Sequence, residues 1–187
     1  MQTSVYGACR NDVTGNIAIQ SLKDIGINVE HIKIIADKKT RCFHVSYLEE
    51  NDKLVFTSKK RCPICNEKQW YEESQIDIDD ILKTIDKEDI LVFDNLNEQN
   101  QFIINNCKNR KMLDLGQYFE LDNYNDDEVI DKIKNKFDII NLNERVEKYL
   151  KKRYSLNQLN DIYKLLQPKM IIVTRGKKEQ ILFMIII

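Results

Sequence analysis

Glycine and proline supply only 5 and 2 of the 187 residues. The sharpest markers of turns and element ends are therefore nearly missing, and boundaries have to be read from periodicity and polar caps. An excess of either charge is missing as well. Lys and Arg number 29 against 30 Asp and Glu, a net charge of -1, which argues against a nucleic-acid-binding surface or an acidic tail and leaves a small, specific ligand as the expected partner. No apolar run approaches the roughly 20 residues that span a bilayer. Residues 1–10 also lack the basic start and apolar stretch of a secretion signal. The expectation is a cytoplasmic protein with no membrane partner. The cysteines, Cys9, Cys42, Cys62, Cys65 and Cys107, are odd in number, which suits reduced thiols better than a disulfide framework.

What is present suffices for one ordinary core. Hydrophobic residues make up 42% of the chain, so 1–187 reads as a single domain without linker, repeat or low-complexity tract, apart from the terminal Ile185-Ile186-Ile187. The apolar opening Ser4-Val5-Tyr6-Gly7-Ala8 is followed by Asn11-Asp12-Val13-Thr14-Gly15, whose polar residues can cap a helix. Ile17, Ala18, Leu22 and Ile25 then recur at helical spacing, and Gly26 stands where a helix is expected to close. Residues 31–36, 42–48 and 54–57 are three β-like stretches, read as an antiparallel excursion over about 31–58, with a polar turn at 49–52. Helices over 78–85, 97–107, 128–136, 144–152 and 156–166 alternate with strands over 90–93, 111–115, 137–142 and 170–174. That alternation predicts βαβ units, hence an α/β fold with a doubly wound, mostly parallel sheet covered on both faces. Ligands gather at the carboxyl ends of such strands, so the loops after Phe93, Leu115, Leu142 and Thr174 are expected to share one crevice.

Several of these pieces resemble a known family. Gly7 to Gly15, the helix ending Asp24-Ile25-Gly26-Ile27-Asn28, Thr40, Met112-Leu113-Asp114-Leu115-Gly116, Asn141-Leu142-Asn143-Glu144 and Val173-Thr174-Arg175-Gly176 occur in the order of the PfkB/ribokinase-type carbohydrate kinases. The resemblance spans nearly the whole chain and implies a ribokinase-like domain that phosphorylates a sugar or nucleoside hydroxyl with ATP and magnesium. It also implies a small β lid, here over about 31–75, through which two subunits can pair as a homodimer.

The resemblance assigns Asn143, Glu144, Thr174 and Gly176 to the nucleotide and its magnesium, and Asp12, Thr40 and Asp114 to the substrate and lid. Each residue has a plainer alternative. Gly176 allows close backbone approach by a nucleotide, or is an ordinary glycine after a strand; Asn143 is a phosphate or metal-water contact, or a helix N-cap. Asp114 orients a ligand, or caps its turn. The Asn/Glu motif fits in two registers, Asn143 with Val146 where Glu is usual, or Asn141 with Glu144. Arg10 stands where the family usually has Gly, and Arg41 follows Thr40 where Gly is common.

Two family features are not matched in this sequence: an earlier strand with a sugar-binding Asp and Gly-Gly-Asn, and a later Gly-Ala-Gly-Asp whose Asp is the base. Absence of a general base typically costs about 10² to 10⁴ in rate, so the expectation is an incomplete kinase chain, weakly active or inactive alone. The alternative is a non-catalytic ligand-binding or zinc-stabilised module on the same fold. Zinc enters through Cys62-Pro63-Ile64-Cys65, half of a zinc ribbon, with Cys42 and His44 on one strand face as further ligands. Reduced solvent-facing thiols are the competing reading. His31 is read as structural, and Lys59-Lys60-Arg61 near Trp70-Tyr71 as a solvated loop rather than a nucleic-acid contact.

Overall fold

A computed structural model describes residues 3–35, 40, 43–48, 53–58, 66, 78–116, 126–175 and 180–184. The chain divides into two compact units, Met1–Lys83 and Thr84–Ile187.

In the first unit, strand β1 (Gly7–Arg10) leads into helix α1 (Val13–Asp24), and strand β2 (Ile32–Ile35) returns beside β1 in parallel. Asp12 is the N-cap of α1 and its side chain accepts from the Gly15 amide at 2.7 Å, so the helix opens four residues before the apolar periodicity begins. It closes as expected: Gly26 takes φ +79, the left-handed conformation that glycine adopts without steric cost. Two expectations are corrected. Ile17 and Ile25 sit on the helical spacing but are 61% and 72% exposed, and the buried residue of α1 is Gly15. An added Cβ at Gly15 would collide with the Arg10 carbonyl oxygen, so the helix packs by backbone approach rather than by an apolar stripe. The antiparallel excursion also begins later than read, because β2 pairs in parallel with β1. The antiparallel part is the hairpin of β3 (Phe43–Leu48) and β4 (Lys53–Ser58), with Phe43 opposite Ser58 and Leu48 opposite Lys53. Helix α2 (Ile78–Thr84) follows.

The second unit alternates strand and helix as far as α5, then adds a second helix and an end strand: β5 (Ile90–Phe93), α3 (Glu98–Asn106), β6 (Arg110–Asp114), α4 (Asp126–Ile133), β7 (Ile139–Asn143), α5 (Glu144–Arg153), α6 (Leu159–Leu166), β8 (Met170–Thr174) and β9 (Gln180–Met184). The five strands stand side by side in chain order, β5 to β8 parallel and β9 antiparallel to β8. This is the mostly parallel α/β arrangement that the strand and helix alternation predicted. Leu113, Ile140, Leu142, Ile171 and Val173 are wholly buried, while their strand neighbours Met112, Asn141 and Ile172 are half-buried. The sheet thus has one fully covered face even where the strands are apolar on both. Helix α5 packs on β7 and β8, and α6 packs on α5 and α4. Val146, Leu150, Ile133, Ile162 and Leu166 complete this core at 1% exposure or less. Each such side chain contributes about 1.5–3 kcal/mol by leaving water.

Turns here are made largely without glycine. Asn135, Ser155 and Gln167 adopt φ of 58, 54 and 57, a conformation that costs an L-residue about 1–2 kcal/mol and is held by the packed helices on either side. No helix among the described residues is long and apolar enough to cross a membrane.

Candidate functional site

Because β5 to β8 run in parallel, the residues that follow them lie on one carboxyl edge, as expected. Three of the predicted residues meet there. Asp114, the last residue of β6, is exposed and is in register with Asn141, whose Nδ2 donates to Asp114 Oδ1 at 3.2 Å. The same oxygen accepts from the Gly116 amide at 2.9 Å, so the turn-capping reading of Asp114 holds while its Oδ2 carries no such bond to Gly116 or Asn141. Asn143 ends β7 opposite Thr174, the end of β8. It is the N-cap of α5, its Oδ1 accepting from the Val146 amide at 2.8 Å, and its Nδ2 donates to the Gly116 carbonyl at 2.8 Å. Both ends of the Asn143 amide are therefore occupied in bracing the edge. An added Cβ on Gly116 would lie 3.1 Å from Asp114 Oδ1, so a side chain there would press on the carboxylate that caps this turn.

The Thr174 hydroxyl donates to the Leu142 carbonyl over a long 3.4 Å, a weak bond that leaves it able to turn toward a ligand. Glu144 opens α5 and pairs with Lys148 at 2.7 Å on the surface. Its backbone amide belongs to the first turn of a helix, where the dipole favours anions. Gly176, the fourth nucleotide residue of the sequence reading, lies outside the described residues.

One ion pair at this edge was not foreseen. Glu147, 4% exposed in its side chain, accepts from Arg175 Nη2 at 2.9 and 3.1 Å, from Arg175 Nε at 3.3 Å, and from Lys151 Nζ at 2.7 Å. Burial alone pushes the Glu147 carboxyl upward, but the hydrogen bonds from Lys151 and Arg175 outweigh it and hold the group below the ordinary Glu range. The only sequence signal was the i,i+4 spacing of Glu147 and Lys151. Arg175 is the middle residue of Thr174-Arg175-Gly176, so the pair ties this loop to the first turns of α5.

The first unit holds a second polar cluster. Asp12 Oδ1 accepts from both the Gly15 amide and Thr40 Oγ1 at 2.7 Å, and Oδ2 accepts from the Thr40 amide at 2.6 Å. Thr40 Oγ1 in turn accepts from the Arg10 amide at 3.2 Å. Asp12 and Thr40, 28 residues apart in sequence, thus form one clasp joining the end of β1, the start of α1 and the segment after β2. His31 stacks on Tyr6 with ring centroids 4.5 Å apart, and its Nδ1 meets Asp80 Oδ2 at 3.0 Å, in line with a structural role.

Of the predicted zinc ligands, Cys42, Cys62 and Cys65 lie outside the described residues, as do 59–61, 70 and 71. His44 lies in β3, where the backbone pairing alone is described. Among the described residues no cluster of three or more metal-ligating side chains forms. Cys9 and Cys107 are free thiols whose burial pushes them above the usual thiol range.

No family model matches the chain, and no curated protein matches it by sequence. Solved structures do. Ribokinase from Thermotoga maritima matches with a TM-score of 0.65 at 15% identity, over 97% of this chain and 56% of its own. An uncharacterized sugar kinase from Pyrococcus horikoshii in complex with ATP matches with a TM-score of 0.68 at 17% identity, over 98% and 59%. The nucleoside kinase of Burkholderia thailandensis in complex with inosine gives 0.68 at 10%, over 96% and 54%. The chain therefore spans somewhat more than half the length of the structures it matches, and at these identities the likeness is one of fold: this chain is built on the ribokinase-like α/β scaffold.

Proposed function

We propose that this chain forms part of a kinase that transfers the terminal phosphoryl group of ATP to a hydroxyl of a sugar or nucleoside. The observation that carries the reading is the joint placement of Asp114, Asn143 and Thr174 on one carboxyl edge of a scaffold shared with an ATP-bound sugar kinase. Phosphoryl transfer is chiefly positioning and charge neutralisation, and this edge supplies both kinds of part. In this reading the Thr174 hydroxyl, at the end of β8, contacts the nucleotide. The first turn of α5 offers its dipole to the phosphates, braced by Asn143 from one side and by Glu147 with Arg175 from the other.

Magnesium keeps several waters and needs only one or two carboxylates. Glu144, on the surface of that turn, fits such a site, whereas Asn143 is committed to its cap and to Gly116. The metal would neutralise phosphate charge. In the first unit, both Asp12 carboxylate oxygens serve Gly15 and Thr40, so a substrate role for Asp12 acts through Thr40. Among the described residues none is assigned as proton acceptor, so binding is the first readout of this reading.

Binding is accordingly measured beside turnover: ATP with magnesium titrated into the full chain by calorimetry, and ADP release followed over a panel of sugars and nucleosides. Saturable ATP binding that Thr174→Val weakens supports the reading. A folded chain that ignores millimolar ATP sinks it and leaves the non-catalytic module.

A further inference from the structure

Arg10 is the last residue of β1, in register with Ile35 at the carboxyl edge of the parallel β1–β2 pair. This is the edge of a parallel sheet where ligands collect. Its side chain is out of place for a surface cation, because the residue is only 4% exposed, and among the described residues its Nη1 is buried without a hydrogen-bond partner. The carboxylate nearest in sequence, Asp12, is already committed: Oδ1 serves Gly15 and Thr40, and Oδ2 serves Thr40. The Arg10 amide donates to the same Thr40 hydroxyl, which places the Arg10 backbone in this clasp, two residues before the Asp12 that caps helix α1.

A buried cation is retained only where a counter-charge meets it. The planar fork of a guanidinium matches carboxylate and phosphate oxygens in pairs. We propose that Arg10 binds an anionic substituent of the acceptor, so that the substrate is a sugar acid or a sugar phosphate rather than a neutral sugar. The proposal rests on the kinase reading for the word acceptor, and on Arg10 alone for the anion.

The test is thermal melting and calorimetry of the full chain with gluconate, inorganic phosphate and glucose, each against sodium chloride at equal ionic strength, for wild type, Arg10→Gln and Arg10→Lys. Gluconate or phosphate is expected to raise the wild-type melting midpoint where glucose and chloride do not. Removing a charged hydrogen-bond donor should weaken anion binding at least about tenfold in Arg10→Gln, with Arg10→Lys between the two. Arg10→Gln should also melt no lower than wild type in chloride, since it removes a buried Nη1 that has no hydrogen-bond partner among the described residues. Should Arg10→Gln not fold, wild type against Arg10→Lys gives the same comparison. Equal responses to the anions and chloride in wild type, or equal anion affinity in wild type and Arg10→Gln, overturn the proposal. Loss of ATP binding together with anion binding in Arg10→Gln assigns the guanidinium to the nucleotide and overturns it too. An ATP response with no anion response removes the anionic acceptor and keeps the kinase; an anion response without one for ATP removes the kinase and keeps the anion site.

Discussion

The two units solve the same problem by different means. In the second, Leu113, Ile140, Leu142, Ile171 and Val173 of the strands are wholly buried, α5 packs on β7 and β8 with its Val146 and Leu150 buried too, and Ile162 of α6 is buried behind it. Hydrophobic burial alone accounts for most of its cohesion. In the first, the buried hydrophobic among the described residues is Ile81, while Val13, Ile17, Ile25 and Ile34 are 52–76% exposed. Among the described residues of this unit, a carboxylate, Asp12, holds two amides and a hydroxyl and so joins the end of β1, the start of α1 and Thr40. A core of interdigitated side chains resists loss of any one polar contact, whereas a clasp centred on one side chain depends on it. The units also differ in how they treat charge. Glu147 is buried with two cations, and Arg10 is buried with an Nη1 that finds no partner among the described residues.

Leu142→Ala should sharpen this contrast most. It empties a fully buried position between sheet and helix and is expected to cost about 3–5 kcal/mol, read as a lower urea midpoint and as faster amide exchange through β6, β7 and β8. Equal acceleration in β1 and β2 would break the comparison by showing one cooperative unit. Asp12→Ala removes a helix cap and the bonds to Thr40, an expected loss of about 2–3 kcal/mol, with exchange rising in β1, α1 and β2 while β7 keeps its protection. Unchanged exchange in α1 would show that the clasp is incidental.

The smallest effect is in acid. The Glu147 carboxyl is held below its usual 4.5 in the fold, so its contribution is complete above that unfolded value and is lost as pH falls through the folded one. Asp138 behaves alike: burial raises it, but Lys169 and the Lys111 amide lower it further. The melting midpoint is expected to fall below about pH 4.5, and Glu147→Gln, at a cost of about 1–2 kcal/mol near neutrality, should flatten that limb. A limb as steep in Glu147→Gln as in wild type would place the acid sensitivity elsewhere.

Most elements of the second unit were legible because their signals are local. Strand β8 and strand β5 have the bounds read from their apolar runs, and Asn143 stands as the N-cap that was one of its two readings, while Asn97, read as the first residue of its helix, caps it instead. The carboxyl edge followed from alternation alone, since parallel strands must share one direction. The first unit was harder to read, because the parallel pairing of β1 with β2, the approach of α1 through Gly15 and the joining of Asp12 to Thr40 are contacts between distant residues without a periodic trace. The same holds for Glu147 with Arg175, which are 28 residues apart.

The sequence by itself therefore determined the order of elements, the α/β class and which residues end the strands, all of which depend on neighbours within a turn or two. Only the tertiary structure decided which polar groups are already spent on one another. Asp114, Asn143 and Asp12 look equally available along the chain, and each is committed once β6, β7 and the segment after β2 are brought side by side. It is also what put Asn135, Ser155 and Gln167 into left-handed turns that a chain poor in glycine does not announce, because packing on both sides of a turn can outweigh the small intrinsic cost of the conformation.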